Sequence, residues 1–160
     1  MLVLLVRHGH AGAKRQWHGD DGFRPLDAQG LAQAAALVHV LSPFTPARIV
    51  SSPFLRCVQT VTPLADALDI PVERSPSLLP EAGVAAVELA RGASIDGPEP
   101  VVLCTHGEVI HDMQAHLEDK GLTGFGPTSL REKGSVWVLE RTDGRFTGAR
   151  YLPPPPIVLN

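Results

Sequence analysis

The stretch Leu2-Val3-Leu4-Leu5-Val6-Arg7-His8-Gly9-His10 decides the fold. Its first five residues are apolar without a break, which is the pattern of a strand covered on both faces. A second run of the same kind, Val101-Val102-Leu103-Cys104-Thr105-His106-Gly107, also ends in a His-Gly pair. Doubly covered strands belong to sheets with helices above and below, so the two runs predict a three-layer α/β sandwich. In such sheets ligands bind beyond the carboxyl ends of the strands. His8 and His106 both stand there, and they share one crevice if the two strands are neighbours.

The rest of the chain fills that frame. A glycine-punctuated polar loop over residues 12–25 is long enough to be functional. Asp27 can cap a helix that continues through Leu31, Ala34, Ala35 and Val38 to about Ser42. Residues 47–51 read as a strand, and Pro53-Phe54 opens a helix to about Leu68, bent at Pro63. Residues 70–79 are extended and proline-punctuated, and residues 81–91 suggest a short helix. After the strand over 101–105 come a helix over 108–120 and a strand over 136–140. The turn signal Asp143-Gly144 joins the latter to a strand over 146–152. The expected sheet is mostly parallel, with helices on both faces and an antiparallel C-terminal edge hairpin. One domain is expected over residues 1–152, followed by a proline-rich tail over 153–160.

Composition narrows the function. A chain of 160 residues with 44% hydrophobic and 19% charged residues reads as an ordinary folded domain, neither disordered nor membrane-embedded. The net charge of −3 supplies no basic field for nucleic acid. Anion binding must therefore rest on a few local arginines, which favours a small substrate. The apolar start is too short for a signal peptide or a membrane span, so a cytoplasmic location is expected. Cys57 and Cys104 lack metal-type spacing and read as buried free thiols.

Arg7 shares the strand edge with His8, and Arg56 lies in the first helical turn behind Ser51-Ser52-Pro53. Two guanidinium forks and two imidazoles suit a tetrahedral oxyanion. Gly9 and Gly107 let backbone approach it closely. A neutral imidazole can attack phosphorus and carry it as phosphohistidine, while nearby arginines depress the imidazole pKa and stabilise the equatorial oxygens. Glu81, in "LLPEAG", is the candidate acid for the leaving oxygen, given a dry pocket that raises its pKa, with Asp20 and Asp21 as alternatives. His10 and Lys14 lie close enough in sequence to His8 to touch substrate. Trp17 either stacks on a base or covers the core. His106, His111 and His116 recur every five residues, which scatters them around a helix and argues against a metal cluster.

Arg7-His8-Gly9 after an N-terminal strand, Arg56 in "SSPFLRCVQT", and Thr105-His106-Gly107 after a late strand resemble the histidine phosphatase superfamily, also called phosphoglycerate mutase-like. The segment "RPLDAQGLAQA" is similar to the small phosphohistidine phosphatases of the SixA type. "GDDGFRPLD", "CTHGEVI" and "KGSVWVLE" are similar to the histidine phosphatase domain at the C-terminus of some actinobacterial Nudix hydrolases that act on damaged nucleotides. The resemblance implies His8 as phosphorylated nucleophile, with Arg7, Arg56 and His106 as the phosphate pocket and neither metal nor cofactor. It implies a phosphatase acting on a phosphohistidine protein, a nucleotide or a small phosphomonoester. Mutase-type phosphotransfer is one alternative, disfavoured because the chain is short for the insertions that enclose a sugar phosphate. The other is a non-catalytic phosphate-binding module, with a separate Nudix protein as possible partner. Specificity is assigned to residues 12–25 and 77–98.

Overall fold

A computed structural model describes residues 1–92, 100–126 and 130–159. The elements follow as β1 (Leu2–Arg7), α1 (Ala28–Leu41), β2 (Arg48–Ser51), α2 (Leu55–Leu68) and β3 (Val72–Arg74). Then come α3 (Ala85–Gly92), β4 (Val101–Thr105), α4 (Gly107–Asp119), β5 (Val136–Thr142) and β6 (Arg145–Leu152). One six-stranded sheet has the order β3-β2-β4-β1-β5-β6. Strands β1 to β4 pair in parallel; β5 runs antiparallel to β1, and β6 closes the edge antiparallel to β5.

The unbroken apolar runs now have their cause. Val3, Leu5, Val101 and Leu103 bury against α3 and α4, while Leu4, Val6, Val102 and Cys104 bury against α1 and α2. Alternate side chains serve two separate cores, so neither strand carries a polar residue before its last paired position, Arg7 in β1 and Thr105 in β4. Both cysteines are free and buried.

β1 and β4 are neighbours, with Arg7 opposite Thr105 in the register. The next residue on each strand is His8 and His106, so the register itself sets the two histidines side by side. Two further bonds bind the strand ends together: the His8 N–H donates to Thr105 O at 3.1 Å, and the Ser52 N–H donates to Cys104 O at 2.9 Å.

Some boundaries differ from the sequence reading. Within residues 70–79 only Val72–Arg74 joins the sheet, because Pro71 and Pro76 have no N–H to give a ladder. Helix α3 starts at Ala85 rather than at 81, since Gly83 has φ +55°, outside the helical region. Helix α2 runs through Pro63 without interruption. Residues 93–98 of the expected specificity stretch, and Asn160 of the tail, lie outside the described residues. Among the described residues, no helix is long and apolar enough to cross a membrane.

Candidate active site

His8 leaves β1 into a buried position. Its Nδ1 lies 2.7 Å from the carbonyl oxygen of Gly9. A carbonyl only accepts, so Nδ1 carries the proton and Nε2 carries the lone pair. Burial pushes the His8 pKa down to about 3, aided by Arg56, His106 and Arg7 and opposed by the Gly9 bond. The ring is neutral at physiological pH.

The backbone around it is held by buried side chains. The Gly9 N–H donates to Thr60 Oγ1 at 2.9 Å, and that hydroxyl donates onward to Arg56 O at 2.7 Å. One α2 threonine thus ties the loop after His8 to the turn that carries Arg56. The His10 N–H donates to Gln33 Oε1 at 2.8 Å. Gly30 lies directly beneath, where a Cβ would come 2.0 Å from His10 O.

Arg56 is buried in the first turns of α2. Its two terminal nitrogens donate to Asp21 O at 2.9 Å and Asp21 Oδ2 at 3.0 Å. The other oxygen, Oδ1, accepts from Arg24 Nε at 2.9 Å. Against the opposing effect of burial, these bonds hold the Asp21 carboxyl below the usual carboxylate range. Asp21 is therefore a clamp on Arg56 and poorly suited to give up a proton at neutral pH. Asp20 is committed as well, accepting from Gly22 N at 2.8 Å.

Arg7 donates to Arg131 O at 2.6 Å and lies flat against Gly107, where a Cβ would meet its Cζ at 2.8 Å. A glycine is required there because the guanidinium occupies the space of a side chain. His106, the N-cap of α4, shares a hydrogen bond through Nε2 with Ser52 Oγ at 2.9 Å. Its ring meets that of His8 edge to face, with centroids 5.5 Å apart. Three nitrogens of this group, Arg7 Nε, Arg56 Nε and His106 Nδ1, are buried without a hydrogen-bond partner among the described residues. Unpaired buried donors cost about 1–3 kcal/mol each, so an anion accepting from this cluster would be bound favourably.

Of the residues singled out from sequence, Arg7, His8, Gly9, Arg56, His106 and Gly107 come together. His10 is adjacent but pairs its Nδ1 with Asp27. Lys14 stands exposed on the short 3₁₀ turn Lys14–Gln16. Glu81 is exposed in the turn ahead of α3, so the dry surroundings expected for it are not there. Its loop is nevertheless tied to the end of β4, where Thr105 Oγ1 donates to Leu78 O at 2.7 Å. Trp17 is 37% exposed, outside the core, and its indole N–H donates to Asp20 O at 2.9 Å. Sequence reasoning missed Gln33, Thr60 and Lys133. An open cleft of about 380 Å³ adjoins the site, lined by Arg7, Gly107, Glu108, His111, Asp112 and Arg131.

Residues 3–82 match the model of the histidine phosphatase superfamily (branch 1). Over 156 residues the chain is 40% identical to an 8-oxo-(d)GTP phosphatase of Mycolicibacterium smegmatis, covering 96% of this chain and 48% of that protein. A second relative, the transcription factor tau 55 kDa subunit of Saccharomyces cerevisiae, is 43% identical over 82 residues, 44% of this chain and 18% of that one. The chain thus spans about half the length, or less, of these curated relatives. Among solved structures, the protein histidine phosphatase SixA in complex with tungstate superposes with a TM-score of 0.79 at 24% identity, covering 96% of this chain and 97% of that one. YhfR of Bacillus stearothermophilus gives a TM-score of 0.74 at 20% identity, with 91% and 93% covered.

Proposed function

Because the chain belongs to the histidine phosphatase superfamily, we propose that it is a phosphatase in which His8 takes up the phosphoryl group of the substrate. The observation that carries this reading is the neutral His8, protonated on Nδ1, next to three partnerless buried nitrogens on Arg7, Arg56 and His106. Nε2 of His8 attacks phosphorus, and the bond from phosphorus to the leaving oxygen breaks. Arg7, Arg56 and His106 supply donors to the equatorial oxygens, already in place before charge builds on them. Water then attacks the phosphohistidine and releases phosphate, returning Nε2 to its free state.

The leaving oxygen needs a proton, and we assign its delivery to Glu81, with water as the competing source. The two separate by leaving group: Glu81→Gln slows alkyl phosphates while leaving nitrophenyl phosphate, whose leaving oxygen needs no proton, nearly unaffected. For the substrate, the 40% identity to a protein named for 8-oxo-(d)GTP supports a nucleotide above a sugar phosphate.

The test is phosphate release, with chelator present, from nucleotides, a phosphohistidine peptide and an aryl phosphate, comparing the wild type with His8→Ala. A phosphoryl adduct on His8, stable in alkali and labile in acid, accompanies turnover. Undiminished release by His8→Ala refutes the assignment.

A further inference from the structure

Arg7 and Arg56 act on His8, and further cations, Arg24, Arg131 and Lys133, stand near them, answered by the carboxylates of Asp21, Asp27 and Glu108. Lys133 lies within electrostatic reach of Arg7, Arg24 and Arg56. Asp21 is taken up by Arg24 and Arg56. Asp27 is taken up by His10 and by the N–H groups of Gly12 and Gly30. The Lys133 ammonium makes no hydrogen bond or ion pair among the described residues.

The position of Lys133 is fixed by its backbone rather than by its charge. Its carbonyl accepts from Gln33 Nε2 at 3.0 Å, and Gln33 is the same side chain that holds His10 N. The following N–H, of Gly134, donates to both Arg7 O and His8 O at 3.1 Å. Gly134 has φ +83° and packs against Gln33, so the turn is built to approach β1 closely. The lysine therefore starts one residue from the nucleophile's own backbone contacts. The side chain is half-buried, and burial together with Arg7 and Arg24 lowers its pKa against the pull of Asp27.

Arg7, Arg56 and His106 account for the phosphoryl group in transit, which leaves Lys133, within electrostatic reach of Arg7 and Arg56, as a further cation without an ion pair among the described residues. We propose that Lys133 is a specificity-determining residue that binds a second anionic group of the substrate, a phosphoryl or carboxylate group close to the phosphoryl group that His8 receives. This rests on the phosphatase reading for the role of His8, but the recognition itself is a binding property. An unpaired ammonium within electrostatic reach of Arg7 and Arg56 favours polyanionic substrates over singly phosphorylated apolar ones.

The experiment compares the wild type, Lys133→Gln and Lys133→Arg on phenyl phosphate, inorganic pyrophosphate and phosphoglycolate. It measures kcat and KM for each, and equilibrium binding of pyrophosphate, phosphoglycolate and orthophosphate by calorimetry. Lys133→Gln is expected to raise KM for the doubly anionic compounds about tenfold more than for phenyl phosphate. Their affinity falls relative to orthophosphate by the same factor, and Lys133→Arg recovers most of the loss. A loss confined to pyrophosphate identifies the partner as a second phosphoryl group, and one confined to phosphoglycolate identifies a carboxylate. An equal loss on all compounds, or none, overturns the proposal. A wild type that binds with this discrimination yet releases no phosphate refutes the phosphatase reading and leaves the Lys133 role standing; phosphate release indifferent to Lys133 does the reverse. A wild type that neither binds nor cleaves them overturns both.

Discussion

The Nδ1–H of His8 donates to the carbonyl oxygen of Gly9 at 2.7 Å, and this one contact fixes which ring nitrogen can react. With Nδ1 occupied, only Nε2 can bond to phosphorus. His8→Ala and His8→Gln should both lower kcat by about 10⁴-fold or more, as loss of a nucleophile does elsewhere. Mass spectrometry of the trapped adduct should place phosphate on Nε2, and an Nδ1 adduct would contradict the tautomer.

The same burial makes His8 a source of acid sensitivity. Its folded-state pKa is about 3, against an ordinary value of about 6.5. The unfolded chain binds this proton as pH falls below about 6.5, whereas the folded chain does not until about 3. The stability held by a neutral His8 is thus complete above about 6.5 and is lost as pH falls toward and through 3, by up to about 1.4 kcal/mol per pH unit. Urea unfolding at pH 7 and pH 5 should show His8→Asn losing about 2 kcal/mol less than the wild type over that interval. Equal losses would mean that His8 is solvated in the folded state.

Asp21 is bonded to both Arg56 and Arg24, which suits it to orient Arg56 rather than to deliver a proton. Asp21→Asn should reduce kcat/KM by about tenfold to a hundredfold, with the loss appearing in phosphate or vanadate affinity as well. Stability should change by less than about 1 kcal/mol, because the carboxylate is itself 25% exposed and its pairs are partly screened. The alkaline limb of the pH profile should stay where it is in the wild type; its disappearance would make Asp21 the acid after all.

Gly107 separates a binding effect from a folding effect. A methyl group there meets Arg7 Cζ at 2.8 Å, and Cζ is the far end of a flexible side chain. Gly107→Ala should therefore cost little stability, since alanine is the better helix residue at the start of α4. It should push the Arg7 guanidinium out of place and lower kcat/KM by about a hundredfold. Thermal unfolding and vanadate binding on the same preparation check both halves.

The sequence made some of this legible and not the rest, for physical reasons. Strands such as β1 and β4 announce themselves because burial on both faces forbids polar residues, and a histidine just past each run needs only the parallel register to meet its counterpart. The Asp27 cap was equally readable, and its Oδ1 accepts from Gly30 N at 2.9 Å. The helix start at Ala85 was not, because Gly83 in a left-handed conformation looks like any other glycine in a one-letter string. Gln33, Thr60 and Lys133 were invisible because each acts across a long stretch of chain; Gln33 Nε2 bonds a carbonyl 100 residues away. Asp21 entered the sequence reading only as an alternative acid, and only the fold brings Arg56 against it.

Gly30 tests how rigidly the nucleophile loop must be held. It sits in the first turn of α1, where a Cβ would come 2.0 Å from the backbone oxygen of His10 and 3.0 Å from its nitrogen. Neither atom is the end of a flexible side chain, and His10 N is itself bonded to Gln33 Oε1 at 2.8 Å. Gly30→Ala must therefore move either helix α1 or the loop that follows His8. The gain in helix propensity from glycine to alanine is about 1 kcal/mol, and overpacking against backbone outweighs it. We expect a net loss of about 2 kcal/mol in denaturant unfolding. Phosphate release should also fall by at least about tenfold, because the shift passes through Gly9 to the His8 tautomer contact. A stabilised Gly30→Ala protein with full activity would mean that the loop yields freely, and that His8 does not depend on the packing of α1 beneath it.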